Sequence, residues 1–413
     1  MSNIFIFSSN ILVDNYIKNY IIKIYTKQYF YYLFCKEILY MPTITPIRSK
    51  WKSEMTDRER FINQMHYKPV DRCFNMEFGY WDENYSLWDI FRNNGISSDN
   101  EANEFFSFDR IETIGGRTWM NPVFPNTIVS ESSTTRTLIN EDGLLAEVPR
   151  DGHDTIPHFI KASIITPDDW LECKKERFRR DDPARKIDIE KLKAAHPENR
   201  DYPLGVWCGS MIGKIRDMLT FEGLAYACYD YPDMVEDMVE TCCVLVEDSL
   251  DQLLPLFDFD YASGWEDICF KNGPIVTVSF FRDVVMPRYK RISKKLHDAG
   301  IDIWYTDCDG DVRSILPYLL EGGINCLIPF EVNGCAHPKE LLDRYGKELR
   351  IMGGFDKMQL GSREAIRSYM ESLVPLVERG GYIPFCDHRC PPNITPEDYL
   401  YYLDLKEEMF GMK

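Results

Sequence analysis

Residues 279–323 read SFFRDVVMPRYKRISKKLHDAGIDIWYTDCDGDVRSILPYLLEGG. The first half has helical period and closes on Gly300, as helix C-termini do. From Ile301 the pattern changes to the short apolar run IDIWYTD, which reads as a strand. Asp307, Cys308, Asp309 and Asp311 then crowd together before a second helical pattern opens at VRSILPYLL. Carboxylates this close raise one another's pKa unless a cation or hydrogen-bond donors offset the charge, so something positive is expected beside them. Helix, strand, acidic strand end, helix is the repeating unit of a parallel sheet joined by crossover helices.

The unit recurs. Strands are expected in CFNMEF from Cys73, PLGVWCG from Pro203, FDYASGW from Phe259, IDIWYTD from Ile301, INCLIPFE from Ile324, RIMGGFD from Arg350 and GYIPFCD from Gly381. Helices are expected in PDMVEDMVETCCVLVEDSLDQLLPLF and REAIRSYMESLVPLVERGG, between strands. This order predicts an α/β chain folded as a closed (β/α)₈ TIM barrel, with an eighth strand that the pattern does not place. No Gly-rich dinucleotide fingerprint follows the first strand, which counts against an open doubly wound sheet. The stretch TIVSESSTTRTLINEDGLLAEVP reads as a β-hairpin insertion with its turn at EDG, and RRDDPARKIDIEKLKAAHPENRDYP as a solvated excursion. Residues 1–54 are expected to be an N-terminal extension outside the barrel, and residues 55–413 the barrel. The first 40 residues, rich in Ile, Tyr, Phe and Lys, read either as an amphipathic membrane or partner segment or as an appendage, with Met41 or Met55 as the true start.

Of the 413 residues, 44% are hydrophobic, enough for a large core. The 48 basic and 66 acidic residues give a net charge of −18, which disfavours nucleic acid and anionic membranes as partners and favours a cation or small polar ligand. The 13 cysteines have no regular spacing and no cleavable signal precedes them, so a reduced, cytoplasmic protein is expected. No apolar run is long enough to span a membrane.

Five successive strands end in acidic or imidazole groups, at the face where barrel enzymes collect their reacting groups. Glu266 and Asp267 follow FDYASGW, Asp307 and Asp309 follow IDIWYT, and Glu331 follows INCLIPF. Asp356 follows RIMGGF, and Asp387, His388 and Arg389 follow GYIPFC. Asp311 reads as a helix cap. Glu331 and Asp356 read equally as site residues or as loop anchors paired with Arg389. Trp265, Tyr305 and the segment FGYWDENYSLW, with Tyr80 and Trp81, read equally as aromatic walls for a substrate or as core packing.

These blocks carry a resemblance. From about Arg58 to Phe410, through TDRERFINQMHYKPVDR, SGWEDICFKNGPIVTVSFFRDVVMPRYKRI, DCDGDVRSILPYLLEGGINCLIPFE, MGGFDK and GGYIPFCDHRCPPNITPEDYL, the chain resembles the uroporphyrinogen decarboxylase superfamily. That superfamily includes the haem-pathway decarboxylase and the cobalamin-dependent methyltransferases. It implies a (β/α)₈ barrel. In the decarboxylase branch, arginines after the first strand grip the porphyrinogen carboxylates; here that place holds Glu77, Asp82 and Glu83 with Arg92 as its one arginine. Porphyrinogen decarboxylation is therefore not expected.

The methyltransferase branch implies zinc held by a His-x-Cys-Gly motif and a later cysteine. Aligned on the glycine, Asp307 stands at the histidine position, Asp309 at the first cysteine and His388 at the second. Harder ligands broaden the metal to zinc, manganese or iron, with Glu266 as a further ligand or catalytic group. A rival set is Cys308 with Cys386 or Cys390. The resemblance implies a metal-dependent methyltransferase that works on a small methylated compound with a corrinoid on a separate protein. Glu331 and Glu266 would be catalytic, Asp307, Asp309 and His388 metal ligands, and Trp265, Tyr80, Trp81, Asp356 and Arg389 substrate-binding. The alternatives are a decarboxylase of a small acid, with Arg389 and Lys357 binding its carboxylate, and a non-catalytic small-ligand binding protein.

Overall fold

The computed structural model describes residues 44–150 and 157–412; of the extension expected at residues 1–54, the part up to residue 43 lies outside them. Seven strands pair in parallel and in chain order: β1 (Glu112–Ile114), β2 (Leu204–Trp207), β3 (Tyr261–Trp265), β4 (Trp304–Asp307), β5 (Cys326–Phe330), β6 (Arg350–Gly353) and β7 (Tyr382–Ile383). Helices follow most of them, among them Pro232–Leu253, Met286–Asp298, Leu316–Gly322, Arg363–Arg379 and Pro396–Phe410. The fold is α/β and TIM-barrel-like. Its interior is filled by Phe61, Met65, Phe74, Tyr261, Ile303, Cys326, Ile328, Met352, Ile383 and Phe385.

Six of the seven expected strands stand in the sheet. The seventh, CFNMEF, forms no ladder. It runs between the loop after β7 and the segment before β1: the Cys390 N–H donates to Gly79 O at 2.9 Å and the Asp109 N–H to Asn75 O at 2.8 Å. An isolated parallel bridge joins Tyr80 to Cys390. Among the described residues no ladder joins β7 to β1. The strand that the pattern did not place is β1. It has three residues, two of them polar, and ends on Gly115, where a Cβ would stand 2.5 Å from the Trp207 side chain.

Between β1 and β2 the chain forms a four-stranded antiparallel sheet, Thr127–Glu131, Thr135–Ile139, Leu145–Pro149 and His158–Lys161. Its EDG turn is held by the Asn140 side chain, which accepts the N–H groups of Asp142 and Leu144, and by Gly143 at φ +84°. The polar excursion that follows is pinned rather than free. Arg185, 6% exposed, donates to the carbonyls of Arg117, Trp119, Arg177 and Arg179. Residues 46–54, expected outside the barrel, pack with it: Trp51 is buried and Arg48 pairs with Asp404 and Glu407. Among the described residues no helix is long and apolar enough to cross a membrane, and every cysteine is free.

Candidate functional site

The strand ends open into a cleft of about 810 Å³. Asp267 and the hairpin residues Cys269, Phe270, Lys271 and Asn272 come from the loop after β3. Asp309 and Gly310 follow β4, and Glu331 and Gly334 follow β5. Arg216, Asp217 and Phe221 close one side, and Leu144 and Phe159 reach in from the antiparallel sheet. Gly310 is required where it stands, at φ +78° with a Cβ position 2.6 Å from the Cys269 carbonyl oxygen. That contact lays the Asp309 turn against the hairpin, and the Asp311 N–H donates to Phe270 O at 2.8 Å.

Two of the three expected ligands meet. His388 Nε2 lies 3.2 Å from Asp309 Oδ2, while Asp309 Oδ1 is buried with no hydrogen-bond partner. Burial raises the Asp309 pKa, and the hydrogen bond from His388 opposes the rise. Asp307 lies on the same strand end. Burial pushes its carboxyl up to about 8, with Asp309 and Asp267 adding to the effect. The imidazole is flanked by Phe78 and by the expected wall residue Trp81, with ring centroids 5.5 Å and 5.9 Å away.

Glu331 faces the cleft but is not alone: Lys357 Nζ stands 2.9 Å from it and 3.7 Å from Asp387. Asp387 is fully buried and accepts the N–H groups of Val332 and Lys357. Burial pushes it up to about 6, against the pull of Lys357. This relay ties the ends of β5, β6 and β7 together.

Other expected site residues are engaged elsewhere. Glu266 turns away from the cleft. Its carboxylate accepts the backbone N–H groups of Met211, Ile212 and Gly213 at 2.7, 2.9 and 2.9 Å and the Tyr289 hydroxyl at 2.5 Å. It anchors the start of the helix Gly213–Leu219. Tyr80 is fully buried and shares a 2.7 Å hydrogen bond with the Tyr399 hydroxyl, so it belongs to the core. Asp356 accepts from the Met358 N–H, Asn333 and Gln359 and holds its own loop. Arg389 donates to Tyr80 O and Asp99. Trp265 lies under the cations of Lys214 and Arg216. Asp311 accepts from the Arg313 N–H and guanidinium, a local turn. Glu77, counted above as a charge repelling carboxylates, is neutralised by Lys406 at 2.6 Å.

The thiolate set is not assembled either. Cys308 is buried against Cys269, whereas burial beside Glu77 pushes Cys386 and Cys390 up. Among the described residues no group of three or more His, Cys, Asp or Glu side chains is placed to hold a metal ion. The expectations missed Arg216, Asp217, Leu144, Phe159, Phe221 and Phe270.

No family model matches the sequence, and no curated protein matches it. Among solved structures, a methyltransferase from Methanosarcina mazei is similar with a TM-score of 0.54 at 11% identity, over 86% of this chain and 99% of that one. The chain shares that protein's fold. A B12-independent methionine synthase from Shewanella sp. W3-18-1, in complex with selenomethionine, is similar with a TM-score of 0.43 at 11% identity, over 82% and 97% of the two chains. The barrel-like fold agrees with what the resemblance to the uroporphyrinogen decarboxylase superfamily implies.

Proposed function

We propose that the protein is an enzyme that transfers a methyl group between a small methylated compound and a corrinoid held by a separate protein. The observation that carries this reading is the Asp309–His388 pair, 3.2 Å apart, at the strand-end cleft of a TIM-barrel-like fold. In this reading Asp309 holds the imidazole through Nε2, and the other ring nitrogen, Nδ1, is the atom that exchanges a proton with a heteroatom whose departure or attack needs one. Trp81 and Phe78 keep bulk water off that proton. Glu331, fixed by Lys357, is the second proton-handling group. Closure of the barrel through residues 73–78 as the eighth strand belongs to the same proposal.

A transition-metal ion, zinc first, with manganese or iron as alternatives, would draw on Asp307, Asp309 and His388 and act as a Lewis acid when bound. The buried oxygen of Asp309 suits such an ion, but the donors as placed make a hydrogen-bonded pair and no three-ligand group. No step is assigned to it. The decarboxylase alternative is weakened because Arg389 and Lys357, its two carboxylate-binding groups, are both engaged by acidic partners.

Incubation with a reduced corrinoid protein and a series of methyl ethers, amines and thiols, read by methylcobalamin absorbance, tests the proposal. Turnover is expected with at least one class, and Asp309→Ala and His388→Ala should each lose about 10²-fold or more. Elemental analysis of the same variants reads the metal separately. Carbon dioxide release from a small acid, or methyl transfer that both variants leave intact, would overturn the reading.

A further inference from the structure

The cleft has two kinds of wall. One is aromatic and aliphatic: Phe221 and Phe270 lie with ring centroids 4.4 Å apart, and Phe159 and Leu144 extend the surface. The other is acidic, since Asp217, Asp267, Asp309 and Glu331 line the cleft against two cations, Arg216 and Lys271. The charges do not cancel evenly. Arg216 is spent on Asp217 and Asp267, at 2.8 and 2.9 Å, and Glu331 is met by Lys357. Asp309 has His388 on one oxygen and nothing on the other, which is buried. A ligand that completes this cleft brings positive charge to Asp309 and apolar surface to the phenyl rings.

From this we propose that the cleft binds an organic cation, a small methylated ammonium, with its charge at Asp309 and its methyl groups against Phe270, since the Phe221 ring is already covered by the Arg216 guanidinium at 5.2 Å. Carboxylate and aromatic faces together favour such a cation over a neutral group of equal shape. The assignment rests on the methyl-transfer reading and narrows its substrate class. The chemistry is consistent. The acceptor, a reduced corrinoid, brings an electron pair to the methyl carbon. The C–N bond breaks, nitrogen keeps that bond's pair, and a neutral amine leaves. A quaternary ammonium therefore departs without a proton. For this substrate class His388, 3.2 Å from Asp309, acts by holding that carboxylate in place beside the cation and not by proton exchange.

Calorimetric titration of the full chain with choline, tetramethylammonium and the neutral choline isostere 3,3-dimethylbutan-1-ol tests the proposal. The cations are expected to bind at least about tenfold more tightly than the isostere. Asp309→Asn should remove that preference. Phe270→Leu, at a half-exposed hairpin position, should weaken the cations several-fold and leave the isostere unchanged. Equal binding of cation and isostere, no cation binding at tens of millimolar, or cation binding untouched by both variants would overturn it. The two readings fail separately. Choline binding without transfer to a reduced corrinoid sinks methyl transfer and keeps the ligand class, whereas turnover of a neutral ether or thiol without choline binding does the reverse.

Discussion

Glu266 and Asp309 look alike in the sequence, each an acid just past the end of an apolar strand, yet their surroundings differ completely. The absent side chain at position 213 is the cause: a Cβ there would lie 1.9 Å from the Glu266 carbonyl oxygen. Gly213 lets the two backbones touch, and the Glu266 carboxylate then folds onto three consecutive N–H groups. Local sequence cannot tell a carboxylate turned back onto backbone from one aimed at a ligand, which is why Glu266 and Asp356 were expected in the site. The contact of Asp309 with His388 was legible because the resemblance set them at paired ligand positions. The aromatic wall was not, since Phe159, Phe221 and Phe270 come from an antiparallel sheet, a helix start and a hairpin with no shared motif. Glu266→Ala leaves three buried N–H groups and a tyrosine hydroxyl unmet, so we expect a loss of about 3 kcal/mol or more in urea unfolding. A loss under about 1 kcal/mol would show that water replaces the carboxylate freely.

At the scale of the element, CFNMEF shows what alternation does and does not report. Phe74 lies in the core, with Met76 and Phe78 packed against it, so alternate residues of the segment face inward as they would in a strand. The ladder is missing because side chains and a chain end take the donors that a neighbouring strand would use. The Cys73 N–H goes to Phe410 O, the Phe74 N–H to the Gln64 side chain, and the Asn75 N–H to Asp109. On the outward face Glu77 meets Lys406 of the helix Pro396–Phe410, with both side chains essentially buried at 2% and 1% exposure. The last helix is thus stapled to the CFNMEF segment. Lys406→Met strands a buried carboxylate and should cost about 3–5 kcal/mol. Adding Glu77→Gln should return much of that. If the double variant is no more stable than the single one by thermal unfolding, Lys406 acts through packing and not through its charge.

For the molecule as a whole, the stretch from Asp57 to Asp109 is locked by a cluster of buried guanidinium and carboxylate groups. Arg60 Nε lies 2.8 Å from Asp71 Oδ1 and Arg72 holds Asp109 at 2.6 Å, all four side chains being 3% exposed or less. These pairs tie the helix Asp57–Met65 to the segments leading into CFNMEF and β1. Burial alone would raise the Asp71 pKa. The Arg60 hydrogen bond and the N–H groups of Met55 and Glu54 outweigh it and hold the carboxyl well below the ordinary range. Asp109 is lowered in the same sense, by Arg72 and Arg60 against its burial. A carboxyl whose folded pKa is depressed adds stability that is complete above its unfolded value, about 4, and is lost as pH falls toward the folded value. The contribution of this cluster to the melting temperature should therefore hold steady from neutral pH to about 5 and fall steeply below 4. The raised carboxyls of Asp307 and Asp387 act in the opposite sense, favouring the fold as pH falls through their folded values. Asp71→Ala should cost about 3 kcal/mol at pH 7, and its difference from the parent should shrink as the acid limb is descended, because the parent then loses the same pair. Thermal unfolding of both proteins across that range decides the matter: a constant gap between the two curves would mean that Asp71 contributes by filling space, and the acid limb would have to originate elsewhere.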